Sequence, residues 1–174
     1  TVFSGGSLET LEKLGLSLRL DFVTPDEEAE LLGHVSTDVV NKTRGRNSIR
    51  RYGSSGPYRA SMVSNTIPGY FDFLLDRLVS QNLVPERPNS VTVNEYLAGQ
   101  AIVPHIDSKT SGLVITILSL LSVARMTLHK GARQEQVELP PRSLVQMRDE
   151  IRDVWKHSIE PVASKRYSIV FRHG

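Results

Sequence analysis

Residues 102–122 read IVPHIDSKTSGLVITILSLLS. Residues 102–106 have the apolar character of a strand leading into His105-Ile106-Asp107. Residues 113–122 are a continuous apolar run, as expected of a strand buried on both faces. Strand side chains repeat every second residue, so His105 and Asp107 fall on one side of the backbone. Strand signals continue outward from this stretch. Residues 91–96 form one, closed by a turn at 97–100 that contains Gly99. Residues 125–129 and 136–139 alternate, 143–147 are short and apolar, 153–159 carry His157, and 166–172 alternate cleanly.

The first half reads differently. Residues 1–7 are small and polar, a loose end. Leu14, Leu16, Leu18, Leu20 and Phe22 give the period-two pattern of a half-buried strand. Thr24 is an N-cap, Pro25 takes the first helical position and Glu27 completes a capping box, so a helix is expected to run to about Val35. Residues 36–59, with Gly45, Gly53, Gly56 and Pro57, read as a loop or irregular hairpin, a lid on the substrate side. Phe71, Phe73, Leu74, Leu75, Leu78 and Val79 give helical spacing over residues 70–81. Pro85, Pro88 and Asn89 make a turn. The pattern predicts an α+β, mainly β, fold: N-terminal helices packed on one sheet of a β-sandwich or jelly roll, residues 1–174 forming a single domain.

With 39% hydrophobic and 23% charged residues, the composition is that of an ordinary globular chain. There is no cysteine, which excludes disulfides, zinc–thiolate sites, iron–sulfur ligation and a cysteine nucleophile. The absence is compatible with a reducing, intracellular compartment; a targeting segment ahead of Thr1 and the compartment itself stay open. No apolar run reaches membrane-spanning length. The formal net charge is only +2, yet Lys42, Arg44, Arg46, Arg50 and Arg51 are clustered, which suits either a polyanionic partner or a solvated loop.

The chemistry is carried by three side chains. His105 and Asp107 supply an imidazole and a carboxylate on one face, and His157 a second imidazole from a later strand. Two His and one carboxylate leave open positions on a ferrous ion, the arrangement of non-haem iron oxygenases. His34, His129 and His173 lack such a context and read as ordinary histidines. Arg166 and Arg172 are six positions apart, on the same face of one strand, with Tyr167, Ile169 and Phe171 facing the other way. A buried guanidinium needs an anionic partner, and its fork suits a carboxylate.

Asn94-x-Tyr96, His105-x-Asp107, His157, Arg166 and Arg172, in that order, resemble the AlkB family of Fe(II)/2-oxoglutarate dioxygenases. The resemblance covers residues 91–172, with weaker support in 16–35 and in 51–58. It implies a double-stranded β-helix. It implies iron bound by His105, Asp107 and His157, the distal carboxylate of 2-oxoglutarate on Arg166 assisted by Asn94 and Tyr96, and Arg172 near the metal-chelating end of that co-substrate. It also implies use of dioxygen to hydroxylate a C–H bond; on an N-methyl group the product loses formaldehyde, a net demethylation.

The substrate implied is a methylated or otherwise modified base in RNA or single-stranded DNA. Arg50, Arg51, Tyr52 and Tyr58 supply phosphate contacts and stacking rings, although both tyrosines are also suited to packing the sheet mouth. Lys109 stands two residues after Asp107, where the bacterial repair member of the family has an acidic residue that reads the base; a cation there cannot accept a hydrogen bond from an adenine amino group. A protein substrate or regulatory role within the same family is the alternative, and the complete ligand set argues against a non-enzymatic reader. The sequence leaves the oligomeric state undetermined.

Overall fold

The computed structural model of the chain describes residues 3–4, 8–37, 47–54, 63–64 and 66–174. Two sheets face each other. The smaller is ordered β1 (Phe3–Ser4), β9 (Arg133–Leu139), β8 (Ala124–Lys130), β11 (Lys156–Ile159) and β6 (Ile102–His105). The larger is ordered β2 (Leu16–Arg19), β10 (Leu144–Met147), β7 (Ile115–Leu120), β12 (Arg166–Arg172), β5 (Ser90–Tyr96), β3 (Ser48–Gly53) and β4 (Val63–Ser64). All pairings are antiparallel except β3 with β4. Among the described residues the α-helices are α1 (Leu8–Lys13), α2 (Pro25–Val35), α3 (Asp72–Ser80) and α4 (Asp149–Asp153). No helix among the described residues is long and apolar enough to cross a membrane.

The apolar residues divide between two layers. Leu31 and Val35 of α2 and Leu74, Leu75 and Leu78 of α3 pack on the outer face of the larger sheet, against Val91, Val93, Ile169 and Phe171. Tyr96, Ile115, Ile117, Met126, Leu128 and Val170 fill the space between the sheets. Each such side chain stabilises the fold by about 1.5–3 kcal/mol through loss of apolar surface. This is the expected helix-covered double-stranded β-helix. β7 is buried along its whole length, as its unbroken apolar run predicts.

The helix at 25–35 begins as read. Thr24 Oγ1 accepts from the Glu27 amide at 3.1 Å, and Glu27 Oε1 accepts from the Thr24 amide at 2.8 Å. The strand expected over 14–22 is shorter, because Gly15 and the turn at 20–21 limit it to β2. The helix expected at 70–81 is a short 3-10 turn followed by α3.

Three expectations need correction. The 1–7 end is not wholly loose, since Phe3 and Ser4 pair with Val137 and Gln136. Residues 36–59 are not loop throughout, because 48–53 form β3, paired with residues 90–95 of β5; the rest of the expected loop or lid, at 38–46 and 55–59, lies outside the described residues. The inward positions of β3 are Ile49, Arg51 and Gly53 and its helix-side positions Ser48, Arg50 and Tyr52, so neither face is uniformly apolar and no alternation shows in the sequence. α4 was not anticipated either: five residues with one apolar position, Ile151, give no helical period.

Candidate metal and co-substrate site

His105 and His157 are direct cross-strand partners on β6 and β11, and opposed residues in an antiparallel pair point to the same face. Their ring centroids are 4.2 Å apart. Asp107 follows the end of β6, and its Oδ1 lies 3.4 Å from His105 Nε2 and 3.3 Å from His157 Nε2. The three donor atoms all lie within 4.8 Å of one another. Adjacent donors about 2.1 Å from one ion stand about 3 Å apart, so the cluster is close to ligating geometry.

Hydrogen bonds fix which atoms face the centre. His105 Nδ1 donates to the Val103 carbonyl at 2.9 Å, which leaves Nε2 with a lone pair. Arg172 Nε donates to Asp107 Oδ2 at 2.6 Å, and Arg172 Nη1 to Thr92 Oγ1 at 3.2 Å. Among the described residues, Asp107 Oδ1 is buried without a hydrogen bond. One carboxylate oxygen is thus committed to the protein and the other is presented between two imidazoles.

Burial opposes ionisation of Asp107, but the two imidazoles beside Oδ1 and the Arg172 guanidinium on Oδ2 hold it far below the usual carboxylate range. Burial pushes His157 down, towards the neutral form that ligates a metal. Burial acts on His105 the same way, but the neighbouring Asp107 carboxylate and the bond to the Val103 carbonyl outweigh it and raise its pKa.

Arg166 is 0% exposed. Its Nη2 donates to Ser119 Oγ at 2.8 Å, and its Cζ lies 4.9 Å from the Tyr96 ring centroid. Nε and Nη1 are buried without hydrogen-bond partners among the described residues. A buried guanidinium with idle donors is expensive unless an anion completes it; burial accordingly depresses its pKa. These orphaned donors fit a carboxylate, as Asp107 Oδ1 with the two Nε2 atoms fits a divalent ion.

Strand register explains why these groups meet. Arg166 pairs with Tyr96, Ser168 with Asn94 and with Ser119, and Arg172 with Ser90, all on the inner face. Asn94 is part of this row: its Oδ1 accepts from Asn47 Nδ2 at 2.6 Å and its Nδ2 donates to Ser168 Oγ at 3.3 Å. Asn47, Ser119 and Ser168 were not anticipated. For Ser119 and Ser168 the available signal was a serine within a buried, mostly apolar strand; Asn47 carried none.

The expected substrate residues separate. Arg51 pairs with Thr92 and so faces inward, on the Arg172 side. Lys109 is exposed on a short 3-10 turn two residues beyond Asp107. Arg50 and Tyr52 face the opposite way, since they pair with Val93 and Val91. Tyr52 is buried in the helix-side core against Phe71, and Arg50 lies 5.2 Å over its ring. Tyr52 therefore packs the fold and is not placed to stack on a base. Tyr58 lies outside the described residues. An apolar cavity of about 240 Å³ opens beside Arg172, between Pro85 and Pro88 on one side and Leu113 and Val114 on the other.

A family model for the 2OG-Fe(II) oxygenase superfamily matches residues 28–172. An uncharacterized protein of Acanthamoeba polyphaga mimivirus is 34% identical over 155 residues, which is 84% of this chain and 73% of that protein. The tRNA (carboxymethyluridine(34)-5-O)-methyltransferase alkbh8 of Xenopus tropicalis is 32% identical over 84% of this chain, which spans 25% of that relative's length. The RNA demethylase ALKBH9B of Arabidopsis thaliana is 28% identical over 61% of this chain and 23% of its own. Among solved structures, that of OsALKBH1 superposes with a TM-score of 0.72 at 15% identity, covering 91% of this chain and 98% of that one. The chain belongs to the 2OG-Fe(II) oxygenase superfamily and is an oxidoreductase that uses Fe(II), 2-oxoglutarate and dioxygen.

Proposed function

We propose that this chain oxidatively demethylates or hydroxylates a modified base in nucleic acid, with RNA the favoured strand type. In this reading residues 1–174 work as one oxygenase domain, and His105, Asp107 and His157 hold the iron. The observation that carries it is the pairing of Asp107 Oδ1, unpaired between two imidazole nitrogens, with the unpaired donors of fully buried Arg166. When bound, Fe(II) with 2-oxoglutarate and dioxygen supplies oxidation of a substrate C–H bond, with succinate and carbon dioxide as by-products.

The protein's own part is positioning. Arg172 occupies Oδ2 of Asp107, which would leave Oδ1 to hold the ion. The Val103 carbonyl fixes the His105 tautomer. Arg166, held by Ser119 and Tyr96, receives the distal carboxylate of the co-substrate. Leu128, paired with His157, keeps water from the floor beneath that ligand.

Nucleic acid is favoured over protein by two observations. The named relatives above act, by name, on tRNA and RNA. The inward Arg51 and the exposed Lys109 place cations on the same side as the Asp107 cluster, suited to phosphates flanking an unstacked base.

The test is mass spectrometry of methylated RNA and single-stranded DNA oligonucleotides incubated with Fe(II) and 2-oxoglutarate. Loss of a methyl group or gain of one oxygen is expected, together with succinate, and neither with His105→Ala. Turnover of peptides with none of any oligonucleotide would overturn the nucleic-acid reading.

A further inference from the structure

We propose that Arg152 of α4 is a positioning residue for the metal site, clamping through the main chain the turn that carries Asp107. Its side chain is only 2% exposed. Nη1 donates to the Asp107 carbonyl at 3.0 Å and Nη2 to the Ser108 carbonyl at 2.7 Å. Nε and Nη2 both donate to the Gly112 carbonyl, at 3.2 and 3.0 Å. One guanidinium therefore holds both ends of the 107–112 turn. Among the described residues its ion pair is with Asp153, at 3.7 Å and itself largely exposed, and its interior contacts are to carbonyls.

A cation taken out of water is costly, and carbonyl dipoles offset that cost only with good geometry. Here they do so at the residue that bears Oδ1. Arg152 fixes the Asp107 backbone, Arg172 fixes Oδ2, and the remaining freedom of the carboxylate is small. The other side of the turn is also tied. Ser111 O accepts from the His173 amide at 3.3 Å, and Gly112, at φ 87°, lies so near His173 that a Cβ there would meet its carbonyl oxygen at 2.7 Å.

The clamp also links two of the three candidate ligands. Arg152 precedes His157 by five residues, and the segment between them is anchored. The Ile151 amide donates to the Leu14 carbonyl at 3.0 Å, and Trp155, fully buried, donates from Nε1 to Glu150 Oε2 at 2.9 Å. The segment that presents His157 thus also sets the turn that presents Asp107. Supports of this kind behind a metal ligand change affinity by about 10- to 100-fold when removed.

The inference rests on Asp107 being a metal ligand, and the experiment separates the two claims. The untagged full chain, Arg152→Gln, Arg152→Lys and Asp107→Asn are titrated anaerobically with Co(II), reading the dissociation constant and the visible ligand-field spectrum, with circular dichroism confirming the fold. Arg152→Gln is expected to be folded, to bind Co(II) about 10- to 100-fold more weakly and to give an altered spectrum. Arg152→Lys, which keeps the charge but not the fork, is expected to fall in between. A folded Arg152→Gln with wild-type affinity and spectrum overturns the clamp, and if that variant fails to fold, the same result in Arg152→Lys overturns it. Loss of Co(II) binding in Asp107→Asn alone means that only the clamp has failed. Wild-type binding in Asp107→Asn means that the ligand assignment itself has failed.

Discussion

Asp107 shows how one side chain is divided between protein and chemistry. Oδ2 is spent on Arg172 and Oδ1 is left between two imidazole nitrogens. Removing any donor of that face leaves too few ligands for ferrous iron, so His105→Ala and Asp107→Ala are expected to lose succinate production while keeping their circular dichroism spectra. Normal turnover in either would show that the ion is held elsewhere. Arg166 makes a different demand, because it touches no ligand in the cluster. Arg166→Ala is expected to raise the KM for 2-oxoglutarate by about 10- to 100-fold, the loss of one or two charge-assisted hydrogen bonds, with metal affinity little altered. An unchanged KM would remove Arg166 from the co-substrate site.

Among the elements, α2 is held by charge as well as by its apolar face. Glu27, already part of the capping box, takes Arg77 of α3 at 2.7 Å, and Glu28 takes Arg142 at 3.2 Å. The Arg77 hydrogen bond, offset in part by burial, lowers the Glu27 pKa from 4.5 to about 2. Its folded value lies below its unfolded one, so the pair stabilises fully above pH 4.5 and its contribution is lost as pH falls towards 2. The pair is about a quarter exposed, and solvent screening keeps it near 1 kcal/mol. Urea midpoints of wild type and Glu27→Gln should therefore differ at pH 6 and converge near pH 2; a constant gap would contradict the assignment. β3 makes the complementary point about packing. Tyr52→Ala removes a buried ring from the helix-side core and is expected to cost about 3–5 kcal/mol in urea unfolding. A small stability change with a large loss of substrate binding would return Tyr52 to the substrate surface.

Across the whole molecule, the two sheets hold the proposed ligands on different strands, so binding should be linked to folding. β6 and β11 belong to the smaller sheet, whereas Arg166 and Arg172 extend from β12 of the larger. An ion and co-substrate that bridge them stabilise the native state by about 2.7 kcal/mol at a hundredfold excess over Kd. For a domain of this size that is a rise in Tm of about 5–11 °C. Differential scanning calorimetry with Mn(II) and 2-oxoglutarate, with dioxygen excluded, checks it. No shift with wild type, or an equal shift with Asp107→Ala, would place binding outside this cleft.

How much was legible depended on whether the signal was local. The capping box Thr24 to Glu27, the apolar run of β7 and the alternation of β12 are carried by neighbouring residues, and each was readable. Order along the chain also marked His105, Asp107, His157, Arg166 and Arg172 as candidates, of which the structure brings the first three together. The facing of β3, which turns Tyr52 into the core and Arg51 inward, was not readable, because side-chain direction there is set by pairing with β5. Nor was Arg152, whose helix is too short to have a period and whose partners are carbonyl groups 40 to 45 residues away. Residue type and spacing determined which groups are available for chemistry. Only the packing of two sheets determined which of their atoms face one another, because backbone hydrogen bonding between distant strands leaves no imprint on the identity of either residue.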